Sequence, residues 1–215
     1  MDRSPNVTWQ DGTLTRAQRW GALGARGATV WLTGLPSSGK STLGAAIEER
    51  LVEEGLSAYL LDGDNLRHGV CGDLGFSAAD REVNVRRVGE VARLFADSGT
   101  IAIVALVSPH EAVRREVRTR HEDDGLKFFE IFVNTPVVEC AKRDPKGLYA
   151  RASAGQLTGL TGVDDAYEPP PQPDLEVTPA FTVSSAAEAA LELIHTHIPP
   201  GASARADERQ EAQTI

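Results

Sequence analysis

Ala28 to Ser41, ATVWLTGLPSSGKS, is the stretch whose reading decides the fold. Its first half, Ala28 through Thr33, is short and mostly apolar, as expected of a strand buried on both faces of a sheet. Its second half, Gly34-Leu35-Pro36-Ser37-Ser38-Gly39-Lys40-Ser41, satisfies G-x-x-x-x-G-K-[ST]. Ser41 to Glu54 then reads as an amphipathic helix that stops at Gly55. Glycine lets such a loop wrap closely enough for successive N–H groups to face phosphate oxygens, and the helix N-terminus adds partial positive charge. Lys40 is expected to reach the β and γ phosphates and Ser41 to offer its hydroxyl to Mg²⁺, with Thr42 next among the nucleotide-binding positions. The bland alternative is a glycine-rich turn before an ordinary helix; the strand ahead of the loop argues against it. The stretch predicts a site for a nucleoside triphosphate.

Outward from this loop, strand and helix alternate. Ser57 to Leu61 is a second buried strand, ending in Asp62-Gly63-Asp64. After a loop to Phe76, Ser77 caps a helix of about 20 residues, with Val85, Val88, Val91, Leu94 and Phe95 as its apolar stripe. Strands are expected at Ile101 to Val107, Phe128 to Val133 and Leu175 to Val177. Helices are expected at Pro109 to His121, Pro136 to Lys142 and Ser184 to His197. Asp144 to Gly162 is basic and glycine-punctuated, which suggests a mobile lid over a site. The fold class is α/β: a P-loop NTPase-type parallel sheet with helices on both faces and a lid segment. Residues 1–27 read as an N-terminal arm, 28–198 as the kinase-like domain and 199–215 as a disordered tail.

The chain has 215 residues, 41% hydrophobic and 25% charged, normal for one globular domain. Its net charge of −9 gives no bulk attraction for nucleic acid or anionic lipid, so an anionic ligand needs a local cluster of basic donors. Cys71 and Cys140 are too few and too isolated for a disulfide framework or a metal site. No signal-peptide core or membrane span is present, and a cytoplasmic protein is the simplest expectation.

The fate of a bound nucleotide depends on the acids. The base-reading Asn-Lys-x-Asp segment of a GTPase is absent, and the third strand ends in Val107-Ser108 rather than in the acid of a motor-type ATPase. The acids instead come after the second strand. Asp64 there could orient and deprotonate an acceptor hydroxyl, or hold a water of the metal beside Ser41. A solvated acidic turn is the competing reading.

The series Asp62-Gly63-Asp64-Asn65-Leu66-Arg67, Gly75-Phe76-Ser77, Asp80-Arg81, Asn84-Val85-Arg86-Arg87 and Ser108-Pro109-His110 continues to Arg143-Asp144-Pro145-Lys146-Gly147-Leu148-Tyr149. Thr161-Gly162 and Tyr167-Glu168 complete it. It closely resembles the adenylylsulfate (APS) kinase family, from about Asn6 through Trp9 to about Val177. The resemblance implies a homodimer that uses MgATP to phosphorylate the 3′-hydroxyl of APS, giving PAPS. It leaves open an association with ATP sulfurylase. The residues suit that acceptor: Arg67, Arg81 and Lys146 supply anion donors, and Asn65 and Asn84 can fix the sugar and base edge. Arg81 and Asn84 share a helix face at i, i+3. Asp62, Asp64, Val107 and Ser108 complete the expected acceptor contacts.

The resemblance further implies that Phe76 stacks on the APS adenine. Relatives place a second aromatic before Thr161-Gly162, where this chain has Leu160, expected to cover the other face of that adenine by apolar contact, and a Glu where it has Val83. Ser108 is traditionally a phosphoserine in this family; direct in-line transfer needs none, and a substrate contact is the expectation here. Two other readings stay open: a P-loop kinase for another hydroxylated nucleotide or metabolite, and a nucleotide-binding subunit without turnover.

Overall fold

In a computed structural model, which describes residues 7, 8, 10 and 12–199, five strands form one parallel sheet. They are Ala28–Thr33 (β1), Ala58–Asp62 (β2), Ile101–Ala105 (β3), Lys127–Val133 (β4) and Leu175–Val177 (β5), in the order β2-β3-β1-β4-β5. The helices are Arg16–Leu23 (α1), Lys40–Glu53 (α2), Gly63–Leu66 (α3), Ala78–Ser98 (α4), Glu111–Asp123 (α5), Val137–Arg143 (α6), Leu148–Ser153 (α7) and Val183–His195 (α8). Every residue of β1 is buried, as its mostly apolar run leads one to expect. β1 lies between β3 and β4, where Ala28 pairs with Ile101 on one side and Lys127 on the other. The chain leaves the ends of β1, β2, β3 and β4 on one rim, the rim on which open α/β sheets bind ligands.

Alternation along each strand feeds two cores. Val30, Leu32, Ile103 and Ile131 pack on Ile47 and Leu51 of α2 and Leu191 and Ile194 of α8. Trp31, Val104 and Phe128 pack on Val85 and Val88 of α4 and Val113 and Val117 of α5. Helices thus cover both faces, and no described helix is long and apolar enough to cross a membrane.

The expected elements are present with shifted ends: α2 begins at Lys40, and β3 stops at Ala105 rather than Val107. Ser77 caps α4 by accepting from the Asp80 N–H. Within the N-terminal arm, Thr15 and Gln18 form a capping box on α1. Asp97 holds that helix on the domain, taking Arg16 at 2.7 Å and Arg19 at 2.8 Å, while its carbonyl accepts from Trp20 Nε1 at 3.0 Å. The segment read as a lid contains a helix the sequence hid, α7. Its Tyr149 packs with Cys140 and Leu160 in a small apolar cluster of its own, joined by Leu35. Asn6, Trp9 and residues 200–215 of the expected tail lie outside the described residues.

His121 is fully buried against β1, with Nε2 3.0 Å from the Thr29 hydroxyl and Nδ1 2.8 Å from the Val117 carbonyl. Burial pushes its pKa down, so the ring folds neutral. A histidine depressed in the folded state adds stability above its unfolded pKa of about 6.5, and that contribution drains away as pH falls. Urea unfolding between pH 7.5 and 5 should therefore show stability falling on acidification. His121→Gln should be less stable at pH 7.5 and show a shallower pH slope; an unchanged slope would show that this ring does not titrate on unfolding.

Candidate active site

Between β1 and α2 the loop backbone is held by its carbonyls. Tyr149 Oη donates to Pro36 O at 3.0 Å, and Thr135 Oγ1 and Arg143 donate to Ser38 O at 2.9 and 3.1 Å. With those carbonyls tied outward, and the Ser38 N–H donating to Leu35 O at 3.2 Å, the other N–H groups of the loop and of the first turn of α2 remain the donors for an anion. Two glycines are required. A Cβ on Gly34 would stand 2.5 Å from the Val133 carbonyl, and Gly39 has φ 110°, a region L side chains avoid. Ser37, with φ 63°, takes the left-handed conformation without being glycine.

Lys40 lies under this loop, 8% exposed. Its ammonium donates to Gly34 O (2.9 Å), Leu35 O (2.7 Å) and Ser38 Oγ (3.3 Å). Burial, with nearby Lys146 adding repulsion, brings its pKa down to about 7 against the opposing pull of Cys140 and Asp62. An anionic phosphate within reach would favour the charged form.

The two acids after β2 divide their contacts. Asp62 Oδ2 accepts from the Ser41 hydroxyl at 2.6 Å, and Oδ1 caps α3 by accepting from the Asp64 N–H at 2.9 Å. Asp64 pairs with Lys146, which arrives from the turn before α7. This revises the expected metal pair: the carboxylate beside Ser41 is Asp62, not Asp64. The donor set fits Mg²⁺, since one hydroxyl and one carboxylate are hard oxygens that leave positions for water and phosphate. Among the described residues no group of three or more His, Cys, Asp or Glu could form a protein cage for a metal.

On the acceptor side Phe76 is 68% exposed, with the Arg67 guanidinium 4.3 Å from its ring centroid. Arg67 also braces the loop by donating to Leu74 O and Gly75 O, at 3.1 and 3.0 Å. Asn65 is exposed on α3, whereas Asn84 is buried on α4 with its carbonyl oxygen unpartnered within the described protein. A buried acceptor of that kind ordinarily has a partner, which makes Asn84 a candidate ligand contact. Val107 lies beyond β3, two residues past the register partner of Asp62.

Three residues expected at the substrate have their side chains engaged within the protein. Arg81 was expected to donate to an anion. Its guanidinium is instead spent on the protein: Nε to Phe76 O (2.9 Å), and the terminal nitrogens to Thr161 Oγ1 (3.0 Å) and Gly159 O (2.5 Å). It straps the Phe76 loop to the 159–165 segment. The Ser108 hydroxyl was expected at the substrate, but it is 2% exposed, donates to Thr33 Oγ1 at 2.9 Å and accepts from Trp31 Nε1 at 3.1 Å. Leu160 was expected to cover a ring on Phe76, yet its side chain is buried with Cys140 and Tyr149. An apolar side chain beside an apolar cluster turns inward.

Sequence reading also missed residues. Thr135, Arg143 and Tyr149 grip the phosphate loop from about 100 positions away. Arg114, 2% exposed, binds Glu130 and the carbonyls of Ser108 and Glu168, each at 2.7 Å. No local pattern announces such partners, although a buried arginine within the apolar spacing of α5 was a visible anomaly.

A phosphate-cradling loop, a hydroxyl–carboxylate pair fit for Mg²⁺ and a second acid beside a basic, aromatic-edged cleft define the P-loop phosphotransferase class. Residues 26–178 match the family described as Adenylylsulphate kinase, and the chain belongs to that family. An adenylyl-sulfate kinase of Enterobacter sp. (strain 638) is 49% identical over 189 residues, 88% of this chain and 93% of that one. The corresponding enzyme of Citrobacter koseri is 48% identical with the same coverage. The Mycobacterium tuberculosis APS kinase CysC, solved in complex with AMPPNP and APS, matches with a TM-score of 0.78 and 49% identity, covering 80% of this chain and 99% of that one.

Tyr149→Phe keeps the ring in its cluster and removes the bond to Pro36 O. Affinity for a non-hydrolysable ATP analogue, measured by calorimetric titration, should weaken about two- to tenfold, as for loss of one net hydrogen bond. Unaltered affinity would show that this grip does not shape the loop.

Proposed function

We propose that the protein transfers the γ-phosphate of ATP to the 3′-hydroxyl of APS, giving PAPS and ADP. Its relatives carry this activity in their names, and CysC was captured with a nucleotide analogue and APS together. The observation that carries the reading is the division of labour after β2: Asp62 bonds to Ser41 of the phosphate loop, and Asp64, two residues on, is turned to Lys146.

In this reading Lys40 exchanges its loop contacts for β and γ phosphate oxygens as ATP enters. Ser41 and Asp62 would hold Mg²⁺, which supplies charge neutralisation on the phosphates. Asp64 accepts the proton of the 3′-hydroxyl as that oxygen attacks phosphorus in line, with Lys146 fixing the carboxylate. Phe76 offers its exposed ring to the APS adenine, Asn84 its buried carbonyl to a donor on the nucleoside, and Arg67 its charge to the phosphosulfate. Asn65 borders the same cleft. Transfer is direct, since a hydroxyl as enclosed as that of Ser108 is a poor phosphate carrier.

The homodimer and the cytoplasmic setting belong to the same proposal. Tyr59, 53% exposed on edge strand β2 and packed on Phe95, offers apolar surface for a second copy. Cys71 and Cys140 are buried free thiols, as suits a reducing compartment.

A coupled assay for ADP release should show turnover with APS and little without it. Lys40→Ala should lose on the order of 10²-fold or more in kcat, as for removal of a major electrostatic stabiliser. Asp64→Asn should lower kcat far more than it weakens ATP binding. ADP release that ignores APS, or an Asp64→Asn kcat within about threefold of wild type, would overturn the acceptor reading and the role of this acid respectively.

A further inference from the structure

Ser108 combines three properties that call for an explanation, given that its hydroxyl is buried and bonded to Thr33 and Trp31. It lies in the loop three residues past β3, the strand paired with β2, it has φ 42° without being glycine, and its hydroxyl and carbonyl are engaged. A left-handed non-glycine residue persists only where its surroundings over-determine it.

The hydrogen bonds around it run in one direction. Thr33 Oγ1 donates to Val107 O at 2.8 Å, which uses the only proton of that hydroxyl. Its 3.0 Å contact with Tyr167 Oη is therefore donated by the tyrosine, and its 2.9 Å contact with Ser108 Oγ by the serine. Ser108 Oγ in turn accepts from Trp31 Nε1. The Tyr167 phenol is suited to act as donor: burial, the dominant influence, raises its pKa to about 12, so it keeps its proton. Its ring stacks on Phe132 with centroids 5.9 Å apart, and Arg114 bonds both Ser108 O and the carbonyl of neighbouring Glu168.

We infer that Tyr167 is a positioning residue for the acceptor: its hydroxyl, acting through Thr33, fixes the Val107–Ser108 backbone as the floor beside Asp62 and Asp64. This rests on the proposed reading in that Val107 and Ser108 border the APS site. The same 159–168 segment is bound by Arg81 to the Phe76 loop. Both walls of the acceptor cleft are thereby registered to one piece of chain, so its docking sets the shape that APS meets. The residues that grip the phosphate loop, Thr135, Arg143 and Tyr149, bond to Pro36 and Ser38 rather than to Thr33 or Ser108.

Tyr167→Phe keeps the stacked ring and removes one donor. Thr33→Val removes the shared hydroxyl, and Thr33→Ser retains it. For Tyr167→Phe, the KM for APS should rise about two- to tenfold, the scale of one net hydrogen bond, with the KM for ATP within about twofold of wild type. Thr33→Val should raise the KM for APS at least as much, and Thr33→Ser should stay near wild type. In the Thr33→Val background Tyr167→Phe should add nothing, since the two act through one atom. Hydrogen–deuterium exchange supplies a readout that needs no acceptor: amides of residues 106–110 should exchange faster in Tyr167→Phe, while those of residues 34–41 stay at wild-type rates.

Additive effects, equal rises in both KM values, or unchanged exchange at 106–110 would overturn the relay. Faster exchange at 106–110 in a protein whose wild type ignores APS would instead uphold the relay and overturn the acceptor assignment.

Discussion

The molecule is organised around one constraint: a loop that ends a fully buried strand must keep its N–H groups free for an anion. The backbone of residues 34–39 cannot satisfy itself with helix or sheet bonds and still face phosphate. Its carbonyls are taken instead by distant side chains, Pro36 by Tyr149 and Ser38 by Thr135 and Arg143. Lys40 fills the space beneath, sharing its three protons among loop acceptors. α6 and α7 supply Arg143 and Tyr149, and the turn between them sends Lys146 to Asp64. The chain that grips the phosphate loop therefore also delivers a charge to Asp64.

A second tie is made in low dielectric. Arg114 and Glu130 are nearly excluded from water, and such a pair contributes little net stability against well-packed apolar replacements. Breaking it by removing one partner would leave a buried charge, at about 3–5 kcal/mol. What the pair provides is register, because the remaining guanidinium donors fasten the loop after β3 and the segment at Glu168 to β4. The three left-handed non-glycine residues among those described, Ser37, Ser108 and Asp144, lie in the phosphate loop, the loop after β3 and the approach to α7. Strain gathers around the cleft where several contacts hold each backbone in place.

The sheet was legible in the sequence because buried parallel strands are written as mostly apolar runs, as in Ala28 to Thr33 and in Phe128 to Val133, where Glu130 is the one charge. The phosphate loop was legible because its glycines obey local steric rules. α7 was not: six residues between glycine-bearing turns hold too few apolar positions to show a period. The surroundings of Arg81, Ser108 and Leu160 were not legible for a common reason. Each stands at a position where a substrate contact is plausible, but its side chain's partners lie far away in sequence: Gly159 and Thr161 for Arg81, Trp31 and Thr33 for Ser108, Cys140 for Leu160. Asp62 and Asp64 were both singled out, yet only geometry separates the one bonded to Ser41 from the one bonded to Lys146.

The central claim is that phosphate passes directly from ATP to the 3′ oxygen of APS across the gap between the phosphate loop and Asp64. Tracing the γ-phosphorus itself tests this most directly. The protein is incubated with γ-labelled ATP and APS, and both the nucleotide products and the protein are analysed for label. The account predicts label on the 3′ oxygen of the sulfated nucleotide in one-to-one ratio with ADP, and none on the protein during turnover. Label retained on a peptide containing Ser108, or found only as inorganic phosphate, would contradict it.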